Sequence, residues 1–310
     1  MKSLKLGMVD LDTSHPKSFL PAIRAMGHEV TAVFDGGAVN PPGYAETFAR
    51  ENGIAGVYDS VRAMAQDVDA VLIHSCNWDV HVDRARPFVE AGKGVFIDKP
   101  LAGTVRDLRQ LLAWNEQGAR ITGGSSLRWS VEVQSWLSQG IPREEWVYAL
   151  VGCAVDEFNY GIHAYSMLHG LLGPGVTQAR HLGQSVQNQV ELTWADGRTG
   201  IVSVGRTTGY LPFYANIVTQ KKVEYIQVNN ALLYQALLEQ ALPYLAGETE
   251  PPLTLAQLLE VELSAIAAKL SQHRGGVPVA LSDIPDDYAG YDGAAFAEAY
   301  KAQKYPPVKA

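Results

Sequence analysis

The amino-acid sequence predicts an α/β protein in two parts: a parallel sheet with crossover helices over residues 1–124, then an α+β domain with a largely antiparallel, open sheet over 125–310. Three observations carry that expectation. Apolar runs of strand length alternate with helix-like stretches through the first third of the chain, and such alternation builds a parallel sheet through right-handed crossovers. Beyond about residue 125, strand-like runs follow one another across tight turns such as Asp196-Gly197, which pair strands antiparallel. At 310 residues the chain also exceeds the roughly 100–200 residues of one domain.

In the first part, strands are expected over residues 4–9, 29–34, 70–75 and 95–97, with helices over 16–26, 44–52 and 81–91 between them. A helix over 104–117 follows, with Leu108, Leu111 and Leu112 on one face and Gly118 as its stop, and 120–123 adds a short strand. This succession makes the first part Rossmann-like. In the second part, 146–155 reads as a strand and 160–172 as a helix ended by Gly173-Pro174-Gly175. Strands over 185–194, 200–206, 214–219 and 223–228 come next, then helices over 231–246 and 255–272. These helices are too few to cover both faces of the second sheet, so one face is expected to pack against another subunit of a homo-oligomer.

With 33 acidic and 25 basic residues, interspersed, the formal charge is −8, which argues against nucleic acid as a partner. Cys76 and Cys153 are the only cysteines, each in an apolar run, so a reducing, cytoplasmic setting without disulfides is expected. The amino terminus meets Asp10 too early for a signal-peptide apolar region, and no stretch approaches the roughly 18 apolar residues of a membrane span. A soluble protein without membrane contact follows. The eight histidines are scattered, and neither Cys-x-x-Cys nor His-Glu-x-x-His occurs, so no metal site is expected.

Lys99 is the most informative residue. Asp98-Lys99-Pro100 ends the run Gly94-Val95-Phe96-Ile97 at the carboxyl end of a buried parallel strand, the edge at which open α/β sheets bind ligands. An ammonium there can hydrogen-bond a substrate hydroxyl or carbonyl. Farther on, Asn159-Tyr160-Gly161-Ile162-His163 opens a helix and supplies an imidazole.

Through Val68-Asp69-Ala70-Val71, Asn77, His81, Ala91-Gly92-Lys93, Asp98-Lys99-Pro100-Leu101-Ala102 and Gly161-x-His163, the chain resembles the glucose-fructose oxidoreductase and inositol dehydrogenase (Gfo/Idh/MocA) family over nearly its whole length. Family members carry Glu-Lys-Pro at the lysine and Asp-x-Gly-x-His-x-x-Asp at the histidine. Here Asp98 replaces the glutamate, while Asn159 and Ser166 replace the two aspartates. The resemblance implies a nicotinamide cofactor and a sugar or polyol substrate. It also implies that Lys99, between nicotinamide and substrate, polarises the substrate oxygen while His163 takes the hydroxyl proton. Asn159 can orient a hydroxyl but cannot accept a proton.

A dinucleotide fingerprint needs Gly-x-Gly-x-x-Gly between strand and helix, yet the stretch from Gly7 to Pro16 has no glycine after Gly7. Asp10 and Asp12 sit where phosphate oxygens are expected, while Thr13 and Ser14 offer hydroxyl and backbone donors and His15 a positive charge when protonated. Equally, Asp12, Thr13 or Ser14 can cap a helix with Pro16 in its first turn. Asp35 ends the second strand where an acidic residue would meet the adenosine ribose, and no cation follows over residues 36–40, which favours NAD over NADP. Ser75, Asn77 and His81 resemble the family's loop on the nicotinamide side. Arg128 stands where family members present an arginine to the substrate, or is an interdomain ion-pair partner. Asp156 and Tyr160 can hydrogen-bond a polyol, although a solvated acidic loop explains Asp156 as well. The leading reading is an NAD-dependent oxidoreductase. Its rivals are a redox-neutral lyase-like or glycosidase-like enzyme that recycles its cofactor, and a non-catalytic sugar- or nucleotide-binding protein of the same fold.

Overall fold

The computed structural model describes residues 3–306. Its first sheet has the order β3-β2-β1-β4-β5-β6, all parallel, with β1 Lys5–Val9, β2 Glu29–Phe34, β3 Gly56–Val57, β4 Ala70–Ile73, β5 Gly94–Ile97 and β6 Ile121–Gly123. Its crossover helices are α1 His15–Ala25, α2 Tyr44–Asn52, α3 Val61–Asp67, α4 His81–Glu90 and α5 Val105–Glu116. Strands covered on both faces should be continuously apolar, and β4 and β5 are buried at every residue. Alternate side chains feed two cores. Val71, Ile73, Val95 and Ile97 pack with Ala85, Phe88, Leu108 and Leu111 of α4 and α5. Leu6, Met8, Leu72 and Phe96 pack with Phe19 and Ile23 of α1.

The second sheet follows α6 Val131–Leu137 and has the order β12-β11-β7-β10-β9-β8-β13. Its strands are β7 Trp146–Gly152, β8 Val176–Gln184, β9 Asn188–Trp194, β10 Thr199–Val204, β11 Tyr214–Thr219, β12 Val223–Gln227 and β13 Val279–Ala280. Pairing is antiparallel except between β7 and β10, whose chains run parallel. Helix α7, Ile162–Leu172, is buried at every position but Gly170. Helices α8 Leu233–Leu245, α9 Leu255–His273 and α10 Gly293–Lys304 complete the chain.

Two late helices return to the first sheet. Leu237, Leu238 and Leu242 of α8 close the core over Leu6, Leu72 and Phe96, and α10 lies at the sheet's carboxyl edge. The outer face of the second sheet is left open: register aligns Tyr225, Asn216, Leu150 and Ile201 across four strands, beside Val223, Val218 and Tyr148. Tyr225 is 56 % and Val223 71 % exposed. Among the described residues no helix is long and apolar enough to cross a membrane.

Candidate active site

Strand β5 delivers Asp98 and Lys99 to the crevice between the two sheets. The Lys99 ammonium donates to the Asn159 carbonyl at 3.0 Å and to its Oδ1 at 3.2 Å, so Asn159 holds it by both backbone and side chain. Burial lowers the Lys99 pKa from the ordinary lysine value, with the Asp98 and Asp156 carboxylates acting against it. Asp156 itself is spent on the loop: its Oδ1 accepts the N–H groups of Phe158 and Tyr160, each at 2.9 Å.

One turn farther, the His163 Nδ1 faces Ser125 Oγ at 2.7 Å, which leaves Nε2 as the nitrogen for a substrate. Tyr160 and Phe213 wall the imidazole, with ring centroids 5.4 Å and 5.1 Å away. Burial, then the nearby Lys99 and His15 charges, hold the His163 pKa well below the usual imidazole value, so this histidine is neutral at pH 7. Ser166, in the place of a family aspartate, is buried and donates to the Ser125 carbonyl; an unpaired carboxylate there would be costly.

Asp98 organises a second imidazole group that sequence reasoning did not assemble. Its Oδ2 receives His15 Nδ1 at 2.6 Å and His74 Nδ1 at 2.9 Å, and its Oδ1 accepts the Lys99 N–H at 2.8 Å. Burial alone would raise the Asp98 pKa, but the two histidines hold it well below the ordinary carboxylate range. His15, lodged between Phe19 and Tyr234, thus has a carboxylate on one nitrogen and, among the described residues, no partner on the other, the arrangement of an acid/base imidazole. His15, expected to offer its charge to phosphate, instead turns its Nδ1 across β4 toward Asp98. The partners lie 83 residues apart, and only the His15-Pro16 helix start was visible in the sequence.

The six residues after β1, Asp10 to Ser14 of the loop and His15 at the start of α1, fill the place of a Gly-x-Gly-x-x-Gly turn, with Asp10, Asp12 and His15 where its glycines would stand. Asp10 adopts φ 57°, a conformation glycine takes freely and aspartate tolerates. Its carboxylate ties three strand ends together, accepting from Gly36 N at 2.7 Å, from Arg84 Nε at 3.0 Å and from the Ser75 hydroxyl. The Asp12 Oδ2 accepts Cys76 N at 2.9 Å, while its Oδ1 has no hydrogen-bond partner among the described residues. Burial, then Asp10, raises the Asp12 pKa to about 6. No side chain caps α1: Thr13 Oγ1 instead accepts the His15 N–H, and Ser14 is exposed.

Asp35 lies at the end of β2, its oxygens accepting Gly37 N at 2.8 Å and Asn40 Nδ2 at 2.9 Å, and it lines a cleft of about 550 Å³ with Tyr44 and Tyr58. Helix α10 lies across the middle of the sheet's carboxyl edge. Asp79 accepts the first two N–H groups of α10, Ala297 packs against Cys76 and Val39, and the Lys304 ammonium donates to the Asp12 carbonyl at 2.9 Å and to Asn40 Oδ1 at 2.8 Å.

Other expected ligand residues are spent on structure. Both His81 nitrogens face backbone carbonyls, of Leu101 at 3.0 Å and Ser75 at 2.9 Å, which staples two loops together. Asn77 Oδ1 accepts the Asp79 N–H and is covered by Gly293, where a Cβ would come within 2.6 Å of it. Arg128 is buried between α7 and α9; burial lowers its pKa to about 10 against the pull of Glu262 and Glu260. Its Nε and Nη2 have no hydrogen-bond partner among the described residues, so its position decides for neither of the two expected roles, substrate contact or interdomain ion pair. Tyr160 does reach the crevice, stacked on Phe213 at 5.2 Å. Among the described residues no group of three or more His, Cys, Asp or Glu is arranged to hold a metal.

Comparison with known proteins agrees with the fold. Residues 14–123 match the family described as "Oxidoreductase family, NAD-binding Rossmann fold", Gfo/Idh/MocA. The 1,5-anhydro-D-fructose reductase of Ensifer adhaerens is 31 % identical over 119 residues, which is 38 % of this chain and only 34 % of the reductase. In fold, the chain is similar to myo-inositol dehydrogenase of Lactobacillus casei, solved with NAD(H) and myo-inositol, at TM-score 0.74 and 18 % identity, covering 90 % of this chain and 97 % of that one. Myo-inositol 2-dehydrogenase of Lactobacillus plantarum gives TM-score 0.75 at 13 % identity, over 90 % and 99 % of the two chains. Over residues 14–123, the segment that carries the Lys99 edge, the chain is thus similar to the NAD-binding Rossmann domain of the Gfo/Idh/MocA oxidoreductases.

Proposed function

We propose that the chain is a nicotinamide-dependent oxidoreductase acting on a carbinol of a sugar, polyol or related hydroxy compound, with residues 1–124 serving the cofactor and 125–310 the substrate. The observation that carries this reading is the convergence of the Lys99 ammonium, fixed by Asn159, and the neutral His163 imidazole on one crevice at the sheet's carboxyl edge. In the oxidative direction Lys99 donates a hydrogen bond to the substrate oxygen and stabilises the charge that develops there. His163 Nε2 takes the hydroxyl proton, a task a neutral imidazole can perform at pH 7. A bound dinucleotide supplies the hydride acceptor.

Asp35, with no lysine or arginine over residues 36–40, favours NAD over NADP. The names of the Lactobacillus dehydrogenase and the Ensifer reductase support the polyol and sugar class. The His15 imidazole on Asp98 gives the crevice a second acid/base group, and this favours, as the alternative, a redox-neutral reaction. The free, buried thiols of Cys76 and Cys153 support a cytoplasmic setting. The row of Tyr225, Leu150, Ile201 and Tyr148 supports a homo-oligomer formed through the open sheet face; sedimentation as a single copy at micromolar concentration would contradict it.

A panel of inositols, sugars and other polyols, assayed for reduced nicotinamide with NAD and with NADP, tests the proposal. Turnover of at least one polyol with NAD faster than with NADP is expected. Turnover without net reduction would move the assignment to the redox-neutral alternative, and absence of any turnover or dinucleotide binding would leave the binding-protein rival.

A further inference from the structure

Helix α10 runs along the carboxyl edge of the parallel sheet, the edge to which the proposed function assigns the dinucleotide. Its first turn is fixed beside β4, where Asp79 accepts Gly293 N at 2.9 Å and Ala294 N at 3.0 Å. Its last residue, Lys304, is bonded to the Asp12 carbonyl in the β1–α1 loop and to Asn40, the partner of Asp35, beyond β2. Twelve residues at about 1.5 Å each span about 18 Å, from the nicotinamide-side loop to the ribose carboxylate. Midway, Ala297 sits on Cys76 and Val39, with Phe296 and Tyr300 beside it.

The attachment is unequal along the segment. Before the helix, Tyr291 is buried, stacks on Phe158 at 3.9 Å with nearly parallel rings, donates to Glu157, and accepts at its carbonyl from Trp78 Nε1 at 2.9 Å. Within the helix only Gly293 and Ala297 are buried; Phe296, Tyr300 and Lys304 are half-buried and the rest are exposed. Release of the helix therefore breaks the contacts of Ala297, Phe296 and Tyr300 with Cys76, Val39 and Trp78, a small apolar patch, while Tyr291 keeps its base in place. Segments with few buried contacts are those that open locally.

We infer that α10 is a tethered cover that fills the dinucleotide lane in the resting protein, so that a dinucleotide binds only when α10 lifts from Cys76, Val39 and the Asp12 carbonyl while Tyr291 stays docked. This inference rests on the reading that the cofactor is a nicotinamide dinucleotide. A closed form that excludes ligand lowers apparent affinity by the fraction of molecules that are open.

The test is NADH titration, followed by nicotinamide fluorescence, of the full chain and of two variants, Lys304→Ala and Ala297→Arg, with hydrogen exchange of residues 293–304 measured at zero and saturating NADH. Lys304→Ala removes the two ammonium hydrogen bonds at the distal end, leaving that of the Tyr305 hydroxyl to Asn40, with little risk to folding, and Ala297→Arg pries at the buried contact. Both variants are expected to bind NADH about tenfold more tightly or better, as when roughly a tenth or less of the wild type is open. Exchange in α10 should rise when NADH binds the wild type, while the segment around Tyr291 stays protected. Equal or weaker binding by both variants, or α10 that becomes more protected with NADH, overturns the inference while leaving the cofactor reading intact. If neither wild type nor variants bind NADH, the cofactor reading fails, and the inference with it.

Discussion

Two stretches of one sheet edge have changed in opposite ways. At the β5 side, Lys99 and His163 keep an ammonium and an imidazole aimed into the crevice, and the surrounding changes adjust their charge: Asn159 holds the ammonium without ionising, and buried Ser166 adds no carboxylate beside His163. At the β1 side, the turn that should present bare backbone to a pyrophosphate carries Asp10, Asp12 and His15, and a helix from the far end of the chain lies across it. Reacting groups have to be placed to within fractions of an ångström. A phosphate-binding loop serves affinity, so under the proposed function it can change, and be covered, without displacing Lys99 or His163.

The largest expected effect lies on the reacting side. Lys99→Met and His163→Ala should each cut turnover about 100-fold or more, the scale of a positioned acid or base, with NADH affinity nearly unchanged. If either variant turns over near the wild-type rate, the corresponding residue leaves the mechanism.

His15 belongs to both stretches, since it starts α1 and bonds Asp98 beside Lys99. His15→Gln keeps an N–H for Asp98 but removes the free Nε2. If that nitrogen exchanges protons, turnover should fall about 10- to 100-fold and the pH–rate profile should lose a limb; an unchanged profile would make His15 a structural partner of Asp98.

Asp12 gives the smallest effect and separates the two stretches by stability. Its folded pKa, raised to about 6 by burial and Asp10, exceeds the ordinary 3.8, so the folded state holds its proton more tightly than the unfolded chain does. Stability should therefore fall as pH rises from about 4 to 6 and stay lower above that. Asp12→Asn retains an acceptor for Cys76 N and removes the charge. It should stabilise the protein on the order of 1–3 kcal/mol at pH 7.5 and by little near pH 4, measured by urea unfolding. A gain independent of pH would mean that the carboxylate is solvated.

The parallel sheet was legible because strands buried on both faces read as unbroken apolar runs, as Ala70–Ile73 and Gly94–Ile97 do. Strand β8 was not, since register shifts at Val176/Gln178 and His181/Gly183 break its alternation. Helix α3 was missed because it buries only Met64 and Ala65. Lys99 and His163 could be found because each has a local motif at an element boundary. The direction of Arg128, the stapling of His81 and the pairing of His15 with Asp98 depend on contacts between distant segments. Helix α10 is Ala-rich with Asp292 as its cap, which marks a helix locally; its course over Cys76 and Asp12 is set by tertiary contacts such as Trp78 with Phe296.

The central claim is that Lys99 and His163 act together on one proton-transfer event in one crevice. The most direct measurement is a double-mutant cycle in turnover on the best polyol found, comparing Lys99→Met, His163→Ala and the combined variant. Residues acting as a unit are strongly non-additive, so the double variant should be little slower than the worse single one. A double variant whose loss equals the product of the two single losses would show that the residues act independently, and would contradict the account.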